Sequence, residues 1–135
     1  MPKESGLGVS VLSVDASDTT VKTILNDITD FSISTPRGVQ DVTGVDKSAK
    51  EALLLLADCS LTLNGVFNDA SDQSHDVFKT VPSTSVARTV TYTHSSQTLA
   101  VEIMFTDYAL TRGTDGSLTW TAPGVLATGV APSWS

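Results

Sequence analysis

The stretch EALLLLADCSLTLNGVF, residues 51–67, decides the fold. Its second half alternates: Cys59, Leu61, Leu63 and Phe67 share one face, and Ser60, Thr62 and Asn64 share the other. A period of two marks a half-buried β-strand, because successive side chains leave opposite faces of the pleat. Gly65 interrupts the pattern and predicts a bulge or a close backbone approach. The domain is expected to bury this strand at its centre. The first half, Leu53–Leu56, has no such period. Asp46 can cap a short helix there, with Lys47 and Glu51 paired one turn apart. The reading is a helix that runs into the leucines and ends near Ala57-Asp58.

On the N-terminal side, Thr35–Gly44 (TPRGVQDVTG) carries Pro, two Gly and Asp, and reads as a long loop (35–45) or a projecting hairpin. Before it, Phe31 and Ile33 alternate with serines in a strand that Pro36 ends. Residues 21–28 are ambiguous. Val21, Ile24, Leu25 and Ile28 have helical spacing, but Asn26-Asp27 would break a helix, and extended structure is favoured. Val9–Val14 is a short strand, and residues 1–8 read as an arm.

On the C-terminal side, Ser71 or Asp72 caps a second short helix with Val77, Phe78 and Val81 on its apolar side, and Pro82 stops it. The last third is strand. Val90 and Tyr92 alternate with threonines. Leu99, Val101, Ile103 and Phe105 alternate with Ala100, Glu102 and Met104. The phase slips at Thr106-Asp107, where a bulge is expected. Gly113–Gly116 (GTDG) is a hairpin turn, followed by Leu118 and Trp120 in phase. Residues 123–135 read as a C-terminal arm with Val130 and Trp134 as anchors. About seven strands and two short helices make a mainly β chain, an antiparallel β-sandwich or barrel in a single domain of 135 residues.

The net charge of −7, from 15 acids against 8 bases, argues against a nucleic-acid reader, whose affinity rests on Lys and Arg. It fits a surface past which a polyanion slides, and equally it fits ordinary solubility. Charged residues are 17%, below the ~25% typical of soluble domains. The one cysteine, Cys59, is expected in the core rather than as a nucleophile. No apolar signal region and no membrane span is read, so the expectation is a chain made in a reducing cytosol with no membrane insertion.

The sequence offers little chemistry. His75 and His94 have no partner at metal-ligand spacing. No nucleophile elbow and no phosphate loop is present. Asp69, Asp72 and Asp76 lack the Gly and closing Glu of a calcium loop and read as helix-terminal charge. The expectation is no enzyme, with no catalytic, cofactor or metal residues. Trp120, in phase with Leu118, reads as core, and Trp134 as an interface anchor.

Four fragments in order, DVTGVDKSAKE (41–51), ADCSLTLNGVFND (57–69) with SHDVF (74–78), FTDYALTRGTDGSLTWTAPG (105–124) and PSW (132–134), together resemble the major tail tube proteins of long-tailed bacteriophages. The resemblance covers roughly residues 26–134. One departure is that the family commonly has a Gly before its "lad" motif, where this chain has Leu55 or Leu56.

The resemblance implies a non-enzymatic virion protein assembled in the bacterial host cytoplasm. It implies a β-sandwich or barrel flanked by a helix, in hexameric rings that stack into a hollow tube conducting DNA to the host cell. The implied partners are the chain itself, a tape-measure protein and DNA in the lumen, tail terminator, and distal tail or baseplate proteins. Contacts between subunits and rings are expected at Pro36, Arg37, Val39, Asp41 and Val42 of the loop and at Val130 and Trp134 of the arm. Glu102, on the more polar face of the longest strand, is the candidate lumen-facing acid. The alternatives are an inner-tube subunit of a phage-like injection or secretion particle and a carbohydrate-binding β-sandwich. Self-association separates a tube protein from a binding module or a small hydrolase.

Overall fold

The computed structural model describes Lys3 and residues 5–135. Among these are ten strands: β1 (Val9–Asp15), β2 (Val21–Thr23), β3 (Ile28–Ser34), β4 (Arg37–Asp41), β5 (Ala52–Ala57), β6 (Ser60–Val66), β7 (Arg88–His94), β8 (Gln97–Phe105), β9 (Ala109–Arg112) and β10 (Leu118–Leu126). One α-helix, α1 (Ser74–Phe78), and two single turns of 3-10 helix, Gly6–Gly8 and Leu25–Asp27, complete them. Of the arm read at residues 1–8, Met1, Pro2 and Glu4 lie outside the described residues.

Eight strands form one antiparallel sheet in the order β2-β1-β7-β8-β10-β6-β3, with β9 also paired to β10. Its edge strands, β2 and β3, are joined by only Ile24–Asp27. Such a short connection holds the two edges close and curls the sheet on itself. Phe31 on β3 accordingly meets Tyr92 on β7 edge to face, with ring centroids 5.2 Å apart.

The curled sheet encloses Leu12, Val14, Cys59, Leu61, Leu63, Val90, Ile103, Trp120 and Ala122. The alternation read for residues 59–63 is therefore the inward face of β6, as expected. The α1 helix adds Val77 and Phe78, and the Phe78 ring lies 5.1 Å from both Phe105 and Trp120. Gly65 has the reason the sequence suggested. It faces Trp120 across β6 and β10, and the indole Nε1 donates to the Val66 carbonyl at 2.8 Å. A Cβ at Gly65 would stand 2.6 Å from Trp120 Cζ2 and run into the Asp27 carbonyl oxygen.

Three expectations are corrected. The helix over residues 46–57 is absent: the leucines form β5, which pairs with β4 in a separate two-stranded sheet. A run of four leucines suits a helix or a strand apolar on both faces equally well, and the ladder from Val39–Asp41 decides for the strand. The Lys47–Glu51 ion pair does form, at 3.5 Å, but within the loop that joins the hairpin.

The cap expected from Ser71 or Asp72 is supplied from far away in sequence. Buried Asp27 accepts the Ser74 amide and the Asn68 side-chain amide, each at 2.9 Å. The phase slip at 106–107 is present as expected: Phe105 pairs with Gly124 and Ala109 with Thr121, so the β8–β9 side carries one extra residue where the ladder is interrupted. Strands β8 and β9 lie end to end along one edge of β10, and Tyr108 leaves the sheet to stack on Phe78 at 5.6 Å.

The stretch read as an arm from Pro123 begins as sheet, since β10 runs to Leu126. Pro123 fits because its carbonyl takes the Thr106 amide at 3.0 Å. Its missing N–H therefore points into the break between β8 and β9, where the ladder is already interrupted. Residues 127–135 then fold back along β8. Ala127 N donates to the Glu102 carbonyl at 3.1 Å, and Thr98 and Ser135 exchange two bonds of 2.9 Å.

Candidate assembly surfaces

The hairpin of β4 and β5 stands apart from the curled sheet and makes no comparable contact with it. A two-stranded sheet is marginal in water unless something covers it. Side chains inside the hairpin hold its shape. Arg37 Nε donates to the Leu55 carbonyl at 2.9 Å, and Val42 N to the Glu51 carbonyl at 3.0 Å. Asp41 Oδ1 takes the Thr43 hydroxyl at 2.5 Å and the Thr43 amide at 2.9 Å. These two bonds, the hydroxyl first, hold the Asp41 carboxyl below the usual carboxylate range. Thr43 also accepts the Glu51 amide at 2.8 Å, so the loop 42–51 is tied at its neck.

The hairpin's apolar side chains face water: Leu53, Leu54, Leu55 and Leu56 are 56%, 59%, 45% and 91% exposed. Exposed apolar residues gathered in one element mark an interaction surface. The register places Leu54 beside Val39 on one face and Leu53 beside Gln40 on the other. A bulge sets Leu55 and Leu56 opposite Gly38. The Leu55 side chain lies over that glycine, 3.3 Å from where a Cβ would be.

The candidate contact residues divide into two groups. Arg37, Val39 and Asp41 lie on β4, flanked by Pro36 and Val42, and all five are exposed. Val130 and Trp134 lie on the returning C-terminal segment, 67% and 53% exposed. The hairpin and the C-terminal segment share a groove of about 660 Å³ lined by Arg37, Leu54–Leu56, Ala57 and Ala131, of which only Arg37 is a candidate contact residue. Trp134 is anchored on its own chain, against Tyr92 at 6.0 Å and opposite Leu99.

Sequence reasoning missed the leucines as surface residues. The run carries no period, so by itself it fixes neither the element type nor the exposed face.

Glu102 lies on the outward face of β8. Thr89 donates its hydroxyl to the Glu102 carboxylate, and Thr91, Thr93, Thr98 and Ala100 continue the same face. That face is polar and carries one charge, with a shallow cavity of about 190 Å³ between it and residues 128–132.

The candidates for chemistry are spread apart. His75 Nδ1 is 3.2 Å from the Tyr108 hydroxyl, and its ring packs 4.8 Å from Phe67, so it belongs to the aromatic cluster around α1. Cys59 is buried, and that burial raises its thiol pKa, with Asp58 adding to the effect. A raised thiol makes a poor nucleophile at neutral pH. Asp72 and Asp76 bond to lysines, Asp72 to Lys22 at 2.5 Å and Asp76 to Lys79 at 3.0 Å. Among the described residues, no three His, Cys, Asp or Glu side chains group as a metal site, and no helix is long and apolar enough to cross a membrane.

No protein-family model and no curated protein matches the sequence. Solved structures do match. A chain in the virion of a native gene transfer agent particle superposes with a TM-score of 0.72 and 17% identity, over 98% of this chain and 99% of that one. A chain in the tail of an empty gene transfer agent particle, refined with C6 symmetry, gives a TM-score of 0.74 and 17% identity over the same shares. The family resemblance drawn from the sequence and the likeness drawn from the coordinates thus point the same way: from end to end, this chain has the fold of a chain in a gene transfer agent particle's tail.

Proposed function

We propose that this chain is the tube subunit of a phage-like tail, stacking as hexameric rings into a hollow conduit for DNA. The observation that carries the reading is the whole-chain likeness to a chain in a particle's tail refined with C6 symmetry. The projecting hairpin supports it independently, because it exposes apolar side chains that a monomer has no use for. In this reading Pro36, Arg37, Val39, Asp41 and Val42, with Val130 and Trp134, form contacts between subunits or rings. Such contacts are heterologous, joining different patches of identical chains, which is the condition for rings and open tubes.

Glu102 and the threonine face of β7 and β8 are the proposed lumen surface. A polar face without cations offers phosphates nothing to grip, and a net charge of −7 keeps DNA from adhering. A tape-measure protein, a tail terminator and distal tail or baseplate proteins are the further partners, in a virion assembled in the host cytoplasm. The role is structural, without enzymatic activity.

Negative-stain electron microscopy of the purified chain over a range of concentrations tests this. Hollow rings or tubes of uniform width are expected. Particles that stay monomeric at high concentration, both alone and seeded with preformed distal tail complex, would refute it.

A further inference from the structure

Asn64 stands on the outward face of β6, at the middle of a rung that crosses three strands. Asp30 on β3 and Thr121 on β10 are its register partners. Its Nδ2 donates to Asp30 Oδ1 at 2.5 Å, and its Oδ1 accepts the Thr121 hydroxyl at 2.7 Å. An amide suits the place because it offers a donor to one side and an acceptor to the other, which a carboxylate does not. The next residue must be glycine for a separate reason: a Cβ at Gly65 would run into the Asp27 carbonyl oxygen and the Trp120 ring. Surface rung and core together thus demand Asn-Gly, and of the three asparagines in the chain only Asn64 precedes a glycine.

That dipeptide is chemically labile in a free chain. The Gly65 nitrogen, with no side chain beside it to hinder approach, attacks Asn64 Cγ. The new C–N bond closes a five-membered succinimide, the Cγ–Nδ2 bond breaks, and ammonia leaves with the amide proton. Water then opens either carbonyl of the ring to give aspartate or isoaspartate. In β6 the attack is blocked. An extended strand sends the Asn64 side chain out of one face, while the following N–H lies in the plane of the sheet. Bringing the two together requires the backbone between them to turn. Strand β6 is laddered to β3 on one side and β10 on the other at this point, with Gly65 packed against Trp120.

We propose that Asn64-Gly65 is a deamidation site guarded by the fold, which marks chains that stay unfolded and bars them from the native sheet. Timely folding preserves the amide. Conversion to aspartate places a second carboxylate directly opposite Asp30, a destabilising cross-strand pair. Conversion to isoaspartate adds one carbon to the main chain before Gly65. The added carbon breaks the register that turns Leu61 and Leu63 inward and sets Gly65 opposite Trp120. Because β6 has a neighbour on each side, the error falls inside the sheet and not at an edge that could fray.

The full chain is incubated in mildly alkaline buffer, folded in one sample and held unfolded in urea in the other, and the peptide carrying Asn64 is followed by mass spectrometry. A guarded group reacts through its open form, so conversion is expected to be at least about a hundredfold slower in the folded chain. The urea sample is then returned to native buffer and fractionated by sedimentation. Isoaspartate at position 64 should be about tenfold or more enriched in the fraction that fails to refold, the bias that one or two kcal/mol of lost stability produces. Asn64→Gln, whose ring closure is far slower, is aged in parallel and compared with its own fresh sample; it should refold undiminished. Equal rates in folded and unfolded samples overturn the proposal. So do isoaspartyl chains that return to the native fraction, or an equal loss of refolding in aged Asn64→Gln.

Discussion

Strands β5 and β6 are separated by two residues, and both are built from leucine and small side chains, yet they meet opposite fates. In β6 every second residue is buried: Leu61 is 2% exposed and Leu63 0%. In β5 no leucine is buried. The difference lies in what stands on either side. Strand β6 is flanked by β3 and β10 and has Trp120 lying over Gly65, so one chain completes its environment. Strand β5 has only β4 beside it, and both its faces are bare. The first region is a fold finished within the molecule. The second leaves its apolar side chains exposed, more than a solvated two-stranded hairpin ordinarily carries.

The comparison breaks if the inner region proves soft. Trp120→Ala empties the space between β10, α1 and Gly65 and removes the bond to Val66. It should cost about 3–5 kcal/mol, the range for a large aromatic in a core, read as a lowered urea midpoint. Next comes Arg88, 1% exposed, which donates to the Asp15 and Val77 carbonyls and to the Thr80 hydroxyl. Its removal leaves buried acceptors without a donor. Arg88→Met should cost about 3 kcal/mol in the same measurement; an unchanged midpoint would mean that the α1 end of the sheet adds little to the core.

Asp27→Ala should follow at about 1–3 kcal/mol, because the Ser74 amide loses its acceptor in a buried place. Amide exchange at Ser74 should rise with it. The comparison sharpens with Leu53→Ser and Leu55→Ser together. The monomer's midpoint should move by no more than about 0.5 kcal/mol, as at exposed sites away from core features, even as assembly fails. Smallest of all, Lys22→Ala breaks the Lys22–Asp72 pair at the surface and should leave the midpoint unmoved and assembly intact.

Much of the inner region was legible in the residues because period two is a local property. The alternations at 59–63 and 99–105 each named the correct buried face, and of Leu118 and Trp120 the tryptophan is core while the leucine is exposed. Gly65 announced a close approach, and GTDG a turn whose Gly116 adopts φ +90°. The tail-like fold was legible from the ordered fragments, and the candidate contacts at 36–42 lie on an exposed projecting element. Leu53–Leu56 was not legible, because an unbroken apolar run carries no period. Lys47 and Glu51 made the matter worse: an i,i+4 pair suggests a helix, but a tight loop satisfies the same distance.

Tertiary structure alone decided the rest, for one physical reason: these choices depend on partners distant in sequence. Asp27 became the acceptor for α1 because the turn after β2 brings it beneath Ser74. Arg88 was buried because three acceptors from separate elements converge on it. Residues 127–135 folded back along β8 because β10 covers only the far end of that strand and leaves an edge to fill. Local chemistry determined which segments are strands and which face of each is apolar. Only the packed chain determined which of those faces it covers itself and which it leaves exposed.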